Sequence, residues 1–388
     1  MEGNFKMHRS TGVIVTTTTL SESVRAFVPN PLPPDAPPVA FESYATANRA
    51  AELALARLNG VSGLVPSEDW LLYAAVRKEA LLTSQIEGTQ ATLDDLFENE
   101  AGIEVDNADD VEEVTNYLRA FRFVRENLQA EGGLPVSVRL ICEAHRLLLD
   151  GVRGAGKQPG ELRRSQNWIG GTRPGNAVFV PPPPESVPEL LADLERFIHS
   201  AQGDLPPLVK VALVHVQFET IHPFLDGNGR MGRLLISALL EHWSLMQAPL
   251  LYISGYLKQL QAEYYRLLSG TRTDGNWEAW ITFFLEGVAV AAGQAERTIV
   301  DLATLIANDR RRLLESNKAG AIAYRLFESL PMMPRFTVEQ VKQRLATTYP
   351  TANAAVKALV DLGIVREMTG QRKNRSFGYH SYIDLLSR

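Results

Sequence analysis

Residues 221–233 read I-H-P-F-L-D-G-N-G-R-M-G-R, a polar, glycine-bearing segment set between a helical stretch, Pro206–Thr220, and the apolar run Leu234–Leu240. A loop that follows one helix and opens directly onto the next fixes a local helix–loop–helix. The rest of the chain extends that reading. Helical apolar spacing covers 43–101, 111–129, 136–150, 185–200, 229–243, 255–268 and 276–317, the last with one or more breaks. Glu68–Glu87 holds neither Gly nor Pro, which predicts one continuous helix with Gly88 just past its end. The acidic stretch between Asp94 and Glu113 reads as a solvated loop and a helix N-terminus, where the dipole favours carboxylates.

Strand signals are scarce. Residues up to about 38 read as an extended arm or strap, because the run 29–38, PNPLPPDAPP, disfavours helix before each proline. The glycine-rich segment Gly151–Pro184 carries Ala177–Val180 before four prolines and predicts a hairpin between helices. The tail predicts helices over Ala321–Leu330, Thr337–Leu345 and Thr351–Leu362. Strands over Ile364–Met368 and Arg375–Ser381 follow, joined by a turn at Thr369–Asn374. That is the order of a winged helix. From Ala319 on there are ten Lys and Arg against five Asp and Glu, a local +5, so the remainder of a chain at −6 carries −11. The asymmetry marks a separate domain. The expected fold is mainly α, a helical core with a flap hairpin plus a small α+β winged-helix domain. The expected division is 1–40 arm, 41–130 N-terminal helical region, 131–317 core and 318–388 winged helix.

Composition removes several classes. The single cysteine, Cys142, excludes an intramolecular disulfide and a Cys-rich zinc site. A net charge of −6 argues against a surface that coats nucleic acid throughout. The apolar runs fall far short of the ~20 residues of a membrane span, so no membrane partner is expected. Thr11–Leu20 is no secretory core, which points to the cytoplasm. Met7 is an alternative start, with Met1–Lys6 an upstream extension.

The segment 222–233 carries the chemistry. Gly227 and Gly229 let backbone approach a ligand closely, and free N–H groups at a helix N-terminus form an anion site suited to phosphates. Arg230 and Arg233 share one face of the first turn, where two cations are unfavourable unless an anion sits there. Asp226 is placed to hold a divalent cation. His222 is the base of the loop with a pKa near neutrality. Together they suggest phosphoryl or nucleotidyl transfer to a hydroxyl. His215, seven residues earlier, reads as a packing or hydrogen-bonding residue.

The segment matches H-x-F-x-[D/E]-G-N-G-R-x-x-R at every specified position, and the chain resembles the Fic family over roughly Phe41–Val288. The resemblance implies a protein adenylyltransferase of bacterial type that moves AMP from ATP to a Ser, Thr or Tyr hydroxyl. It makes His222 the general base and Asp226 the ligand of Mg²⁺ or Mn²⁺. It assigns the nucleotide to Gly227, Asn228, Gly229, Arg230, Gly232 and Arg233, with Arg233 orienting the γ-phosphate. Thr83-Ser84-Gln85-Ile86-Glu87-Gly88 matches the family's inhibitory pattern [S/T]-x-x-x-E-[G/N]. The resemblance therefore implies that Thr83, Glu87 and Gly88 form an N-terminal inhibitory helix end, with Glu87 competing for Arg233. It also makes Ile169–Val180, chiefly Val178, Phe179 and Val180, a flap that pairs with the target, with Gly160-Glu161-Leu162-Arg163 and Gln166-Asn167-Trp168 as its lead-in. It places Tyr264 and Tyr265 near the adenine, one stacking and the other packing or hydrogen-bonding. Tyr252, Tyr256 and Trp277 read as core.

Alternatives remain open. The same site could remove AMP, with Glu87 positioning water. The winged helix could bind DNA through Thr351–Leu362, using Asn353 and Lys357, and a basic wing of Arg372, Lys373 and Arg375. Protein docking or a homodimer is the competing role for that domain. The target is unassigned, and self-modification is one option.

Overall fold

The computed structural model describes residues 9–35, 37–65, 67–200, 203, 205–316, 320–370 and 375–388. In chain order the elements are β1 (Gly12–Thr19), β2 (Glu22–Pro29), α1 (Phe41–Val61), α2 (Glu68–Ile86), α3 (Leu93–Glu100), α4 (Ala108–Gln129), α5 (Val138–Leu148), α6 (Val187–His199), α7 (Pro207–Ile221) and α8 (Asn228–His242). There follow α9 (Ser254–Gln259), α10 (Gln261–Thr273), α11 (Trp277–Glu315), α12 (Ala321–Ser329), β3 (Arg335–Thr337), α13 (Val338–Arg344), α14 (Tyr349–Asp361), β4 (Arg366–Glu367), β5 (Ser376–Gly378) and α15 (His380–Ser387). The architecture is mainly α with small antiparallel sheets. No helix among the described residues is long and apolar enough to cross a membrane.

The chain gathers into two compact units, one of 1–56, 116–249 and 253–292, the other of 57–115, 250–252 and 293–388. This grouping cuts across the linear division expected from the sequence. The tail joins residues 57–115 instead of standing alone.

In the first unit, α7 is the central element. Every residue from Leu208 to Ile221 is buried, the signature of a helix surrounded on all sides. Its polar members are accommodated individually. Lys210 lies over the rings of Phe197 and Trp243, and Gln217 donates to the Asn30 carbonyl. Trp280, from α11, donates through Nε1 to the Ala212 carbonyl at 2.8 Å. α11, of which residues 277–292 belong to this unit, runs 39 residues without the expected break. Its Gly287 is needed there, because a Cβ would fall 2.7 Å from the Tyr256 ring.

Two expectations for this unit are corrected. The N-terminal arm is a regular hairpin, β1 paired antiparallel with β2 from Gly12↔Pro29 to Thr19↔Glu22. Its turn uses Leu20 and Ser21, both at positive φ, as a two-residue hairpin turn requires. The predicted hairpin within 151–184 is instead an irregular loop with one bridge, Ile169↔Phe179. The two findings are connected. The Phe27 N–H donates to the Val180 carbonyl at 3.0 Å, and Arg173 pairs with Glu22 at 2.6 Å. Val24, Ala26 and Val180 form a small apolar cluster over which Val15, Trp168 and Ala177 pack. The N-terminal hairpin thus backs the segment 177–180.

In the second unit, α2 runs unbroken to Ile86, as the sequence predicts. The tail forms α12, α13 and α14 with a three-stranded sheet of order β3-β5-β4. The sequence predicts two strands; the third, β3, pairs Phe336 with Phe377, and a terminal helix, α15, follows. Arg335 is 5% exposed and reaches Asp94 and Glu98 at 3.2 and 3.1 Å. Of the candidate DNA-reading side chains, Arg375 donates to Asn353 and to Glu367, both at 3.3 Å. Lys357 is exposed. Arg372 and Lys373 lie outside the described residues, as does the extension Met1–Lys6.

Candidate active site

α7 ends because Pro223 cannot continue it, and its C-cap, His222, turns into the left-handed region at φ 49° and ψ 62°. A non-glycine residue there costs on the order of 1 kcal/mol or more, so something must hold it. Arg163 does. It is 2% exposed, and its Nε donates to the His222 carbonyl at 2.9 Å while Nη2 reaches the Ile221 carbonyl at 3.3 Å. A cation on the last carbonyls of a helix is favourable for the dipole as well as for hydrogen bonding. Burial lowers the Arg163 pKa to about 10, which leaves it charged at neutral pH. The same guanidinium donates to the Pro182 carbonyl.

The loop then closes on itself. The Asn228 carboxamide accepts from the Phe224 N–H at 2.9 Å and donates to the Phe224 carbonyl at 2.8 Å. Phe224 is fully buried and lies flat on His145, ring centroids 3.7 Å apart. His145, from α5, accepts at Nδ1 from the Gly160 N–H and therefore donates from Nε2 to the Asp226 carbonyl, each at 2.9 Å. Burial pulls its pKa down to about 4, so it is neutral in this role. The backbone of the loop is thus fixed at residues 222, 224 and 226.

Gly227, at φ 74°, is the N-cap of α8. The first N–H groups of that helix have no intrahelical acceptor and open into the loop. The Asp226 carboxylate accepts from the Gly227 N–H at 2.6 Å, and its side chain is 41% exposed. Arg230 sits 4.0 Å from it. Arg230 and Arg233 are 2% and 1% exposed on the first turns of α8. Gly154, at φ 94°, passes so close that a Cβ would lie 2.9 Å from the Asp226 carboxylate.

Some expected nucleotide residues have other work. The space a side chain on Gly232 would need is filled by Glu219 at 2.4 Å and by the His215 ring at 3.3 Å, so Gly232 serves the close crossing of α7 and α8. Asn228 spends its side chain inside the loop, which leaves its backbone for a ligand. Tyr264 is 1% exposed, and its hydroxyl bonds to His215 Nε2 at 2.8 Å. His215 Nδ1 donates to the Gly232 carbonyl at 3.1 Å. Tyr264 is therefore a core group holding His215, the packing or hydrogen-bonding role expected of one tyrosine of the pair. Tyr265 is 47% exposed. His215 has the packing role expected of it, its pKa lowered by burial to about 3.

In the flap, Val178 is 80% exposed, Phe179 is half-buried and Val180 is buried. The Val178 and Phe179 N–H groups both donate to the Ile169 carbonyl. Arg272 stacks on the Phe179 ring at 3.8 Å. In the second unit, Thr83 is fully buried on α2. Glu87 is the exposed C-cap residue, and Gly88 follows at φ 102°.

His145 is the residue that sequence reasoning missed; Arg163 stood in the flap lead-in, without the contacts it makes to residues 221 and 222. His145 could have been found as a histidine on the apolar face formed by Leu140, Ile141, Ala144 and Leu148.

The description "Fic/DOC family N-terminal" matches residues 45–126, and "Fic/DOC family" matches residues 135–240. Curated relatives named protein adenylyltransferase Fic align with the chain. The one from Drosophila grimshawi is 30% identical over 210 residues, 52% of this chain and 39% of that protein. The one from Drosophila yakuba is 32% identical over 162 residues, 40% of this chain and 30% of that protein. The chain thus spans about two fifths or less of the length of these relatives. Among solved structures, a Fic family protein from Desulfovibrio desulfuricans superposes with a TM-score of 0.53 at 21% identity. It covers 85% of this chain and 95% of its own. A Fic domain containing signaling protein from Bacteroides thetaiotaomicron gives 0.53 at 21%, covering 66% of this chain and 97% of its own. These two neighbours establish likeness of fold. With an intact H-P-F-L-D-G-N-G-R-M-G-R loop at the head of α8, the chain belongs to the Fic family.

Proposed function

We propose that this chain is a protein adenylyltransferase that moves AMP from ATP to a hydroxyl of a target protein or of itself. The observation that carries the reading is the juxtaposition of His222, Asp226 and the N-terminus of α8 on one loop whose backbone is pinned at three points.

The chemistry follows from the residues. His222 takes the proton of the target Ser, Thr or Tyr hydroxyl as its oxygen attacks the α-phosphorus. The O–Pα bond forms, the bond from Pα to the bridging oxygen breaks, and pyrophosphate leaves with that electron pair. Backbone N–H groups of Asn228, Gly229 and Arg230 receive the phosphate oxygens. The buried guanidinium groups of Arg230 and Arg233 neutralise charge farther along the triphosphate. An exposed Tyr265 supports an adenine contact there, in place of Tyr264.

A divalent cation fits the donor set in one way. Among the described residues there is no group of three or more His, Cys, Asp or Glu side chains that could hold an ion alone. A single, partly exposed carboxylate such as Asp226, completed by substrate phosphates, is a usual arrangement for Mg²⁺. Asp226 would hold the ion, which would supply charge neutralisation on the phosphates.

The flap supports docking by backbone pairing. Its exposed Val178 stands on a segment already extended by the bridge to Ile169, and strand addition demands little of the target sequence. The match at Thr83, Glu87 and Gly88 supports control of the enzyme by Glu87 acting on Arg233. The Arg375–Asn353 bond supports protein docking over DNA reading in the tail.

Incubation with α-labelled and, separately, γ-labelled ATP tests the reading. Protein-bound label from the α position alone is the expected result. Label from the γ position, or none from either in wild type and in Glu87→Gly, overturns it.

A further inference from the structure

We propose that Arg163, with Gln166 and Asn167, is a spacer that sets the distance between the target-docking flap and His222. The proposal rests on the AMP-transfer reading and deepens it, since neither histidine nor flap can place a hydroxyl alone. Arg163 donates to the carbonyls of Ile221 and His222 on one side and of Pro182 on the other. Its own N–H donates to the Pro223 carbonyl at 2.9 Å. Gln166 donates to the Pro181 carbonyl at 2.9 Å, and Asn167 donates to the Phe224 carbonyl at 3.1 Å. Three residues within the five from 163 to 167 thus hold two segments of the chain, 181–182 and 221–224, against each other.

The positions matter as much as the bonds. Pro181 and Pro182 directly follow the flap residues Val178–Val180, and the four prolines 181–184 have fixed φ. A shift at Pro182 is therefore passed to the flap with little slack. At the other end the bonds fall on the left-handed residue that carries the base. A guanidinium is a rigid planar fork whose donors reach carbonyls on two segments at once; an ammonium is a single point. Arg163 is 2% exposed and the hydrogen bonds of its guanidinium go to backbone carbonyls. It is a positioning residue. Misplacement of reacting groups by about 1 Å costs on the order of a hundredfold in rate.

The experiment compares wild type with Arg163→Lys and Gln166→Ala. It reads the self-labelling rate at saturating α-labelled ATP, the KM for ATP, and amide exchange in 177–182, 219–224 and, as an internal control, 234–240. For Arg163→Lys the expected result is a rate at least ~10-fold lower with the ATP KM within about twofold, and faster exchange in both bonded segments but not in 234–240. Gln166→Ala should speed exchange at 177–182 alone. A folded Arg163→Lys protein with the wild-type rate overturns the proposal. So does exchange that rises equally in 234–240, the mark of a merely structural role. If neither wild type nor Glu87→Gly labels itself or any added protein with AMP, the enzymatic reading falls instead, and the exchange pattern still decides whether Arg163 couples the two segments.

Discussion

The imidazole of His145 lies on the ring of Phe224 with centroids 3.7 Å apart and planes 4° from parallel, while its Nε2 bonds to the Asp226 carbonyl. One neutral, buried ring from α5 therefore supports two residues of the loop two positions apart. It works only while unprotonated at Nδ1, the atom that accepts from Gly160. Charging the ring would turn that acceptor into a donor facing a donor.

This arrangement predicts acid sensitivity. His145 and His215 are held near pKa 4 and 3 by burial, against 6.5 for an ordinary histidine. Above pH 6.5 neither state binds a proton at these sites. Below it the unfolded chain takes up protons that the fold refuses, so stability falls from pH 6.5 toward pH 4. At about 1.4 kcal/mol per pKa unit the loss reaches a few kcal/mol. Thermal unfolding between pH 7 and 4.5 should show a falling Tm. The slope should be shallower in His145→Gln and His215→Gln; equal slopes in all three proteins would show that other groups govern it.

His222→Ala should abolish AMP transfer and leave ATP binding within about twofold, because the base acts on the hydroxyl and not on the nucleotide. The α7 cap should survive, since Arg163 grips the carbonyl of residue 222 and not its side chain. Calorimetric titration with ATP alongside a labelling assay checks both halves. Retention of wild-type labelling would remove His222 from the chemistry.

Asp226→Asn should raise the Mg²⁺ concentration needed for half-maximal rate, since a neutral amide is a weaker ligand for a hard cation. The carbonyl that meets His145 is unaffected by the change, so the loop backbone should hold. A Mg²⁺ titration at saturating ATP reads the effect, and superimposable curves would take Asp226 out of metal binding.

What the sequence showed and what it hid divide along physical lines. The loop at 222–233 was legible because its residue types are contiguous and each carries chemistry. α2 was legible because nothing between Glu68 and Ile86 interrupts a helix. The N-terminal hairpin was hidden by its turn, where Leu20 and Ser21 adopt positive φ without the usual Asn or Gly. The strand β3 is three residues long and offers no alternation to read. His145 and Arg163 act across 81 and 59 residues of sequence, a separation that periodicity does not report. Which of Tyr264 and Tyr265 packs was not legible, because aromatic type alone does not distinguish a ligand contact from a hydroxyl aimed at a buried histidine.

Control of the enzyme gives the sharpest prediction. In the proposed reading Glu87 keeps Arg233 from the γ-phosphate, so the resting rate is low although the loop is complete. Glu87→Gly should raise AMP transfer by orders of magnitude. Each ~1.4 kcal/mol by which losing that competition favours the productive triphosphate is tenfold in rate. The substitution falls at the C-cap of α2, just before a glycine already at φ 102°, so a glycine there should cost little helix. The double variant Glu87→Gly with Arg233→Ala isolates the mechanism. If Glu87 acts through Arg233, the gain must vanish when the arginine is gone, a non-additive outcome. A gain that persisted would place the action of Glu87 elsewhere. If Glu87→Gly is no faster than wild type, release of AMP from a pre-modified protein should be measured. Loss of that release in the variant would make Glu87 the group that positions water for the reverse reaction.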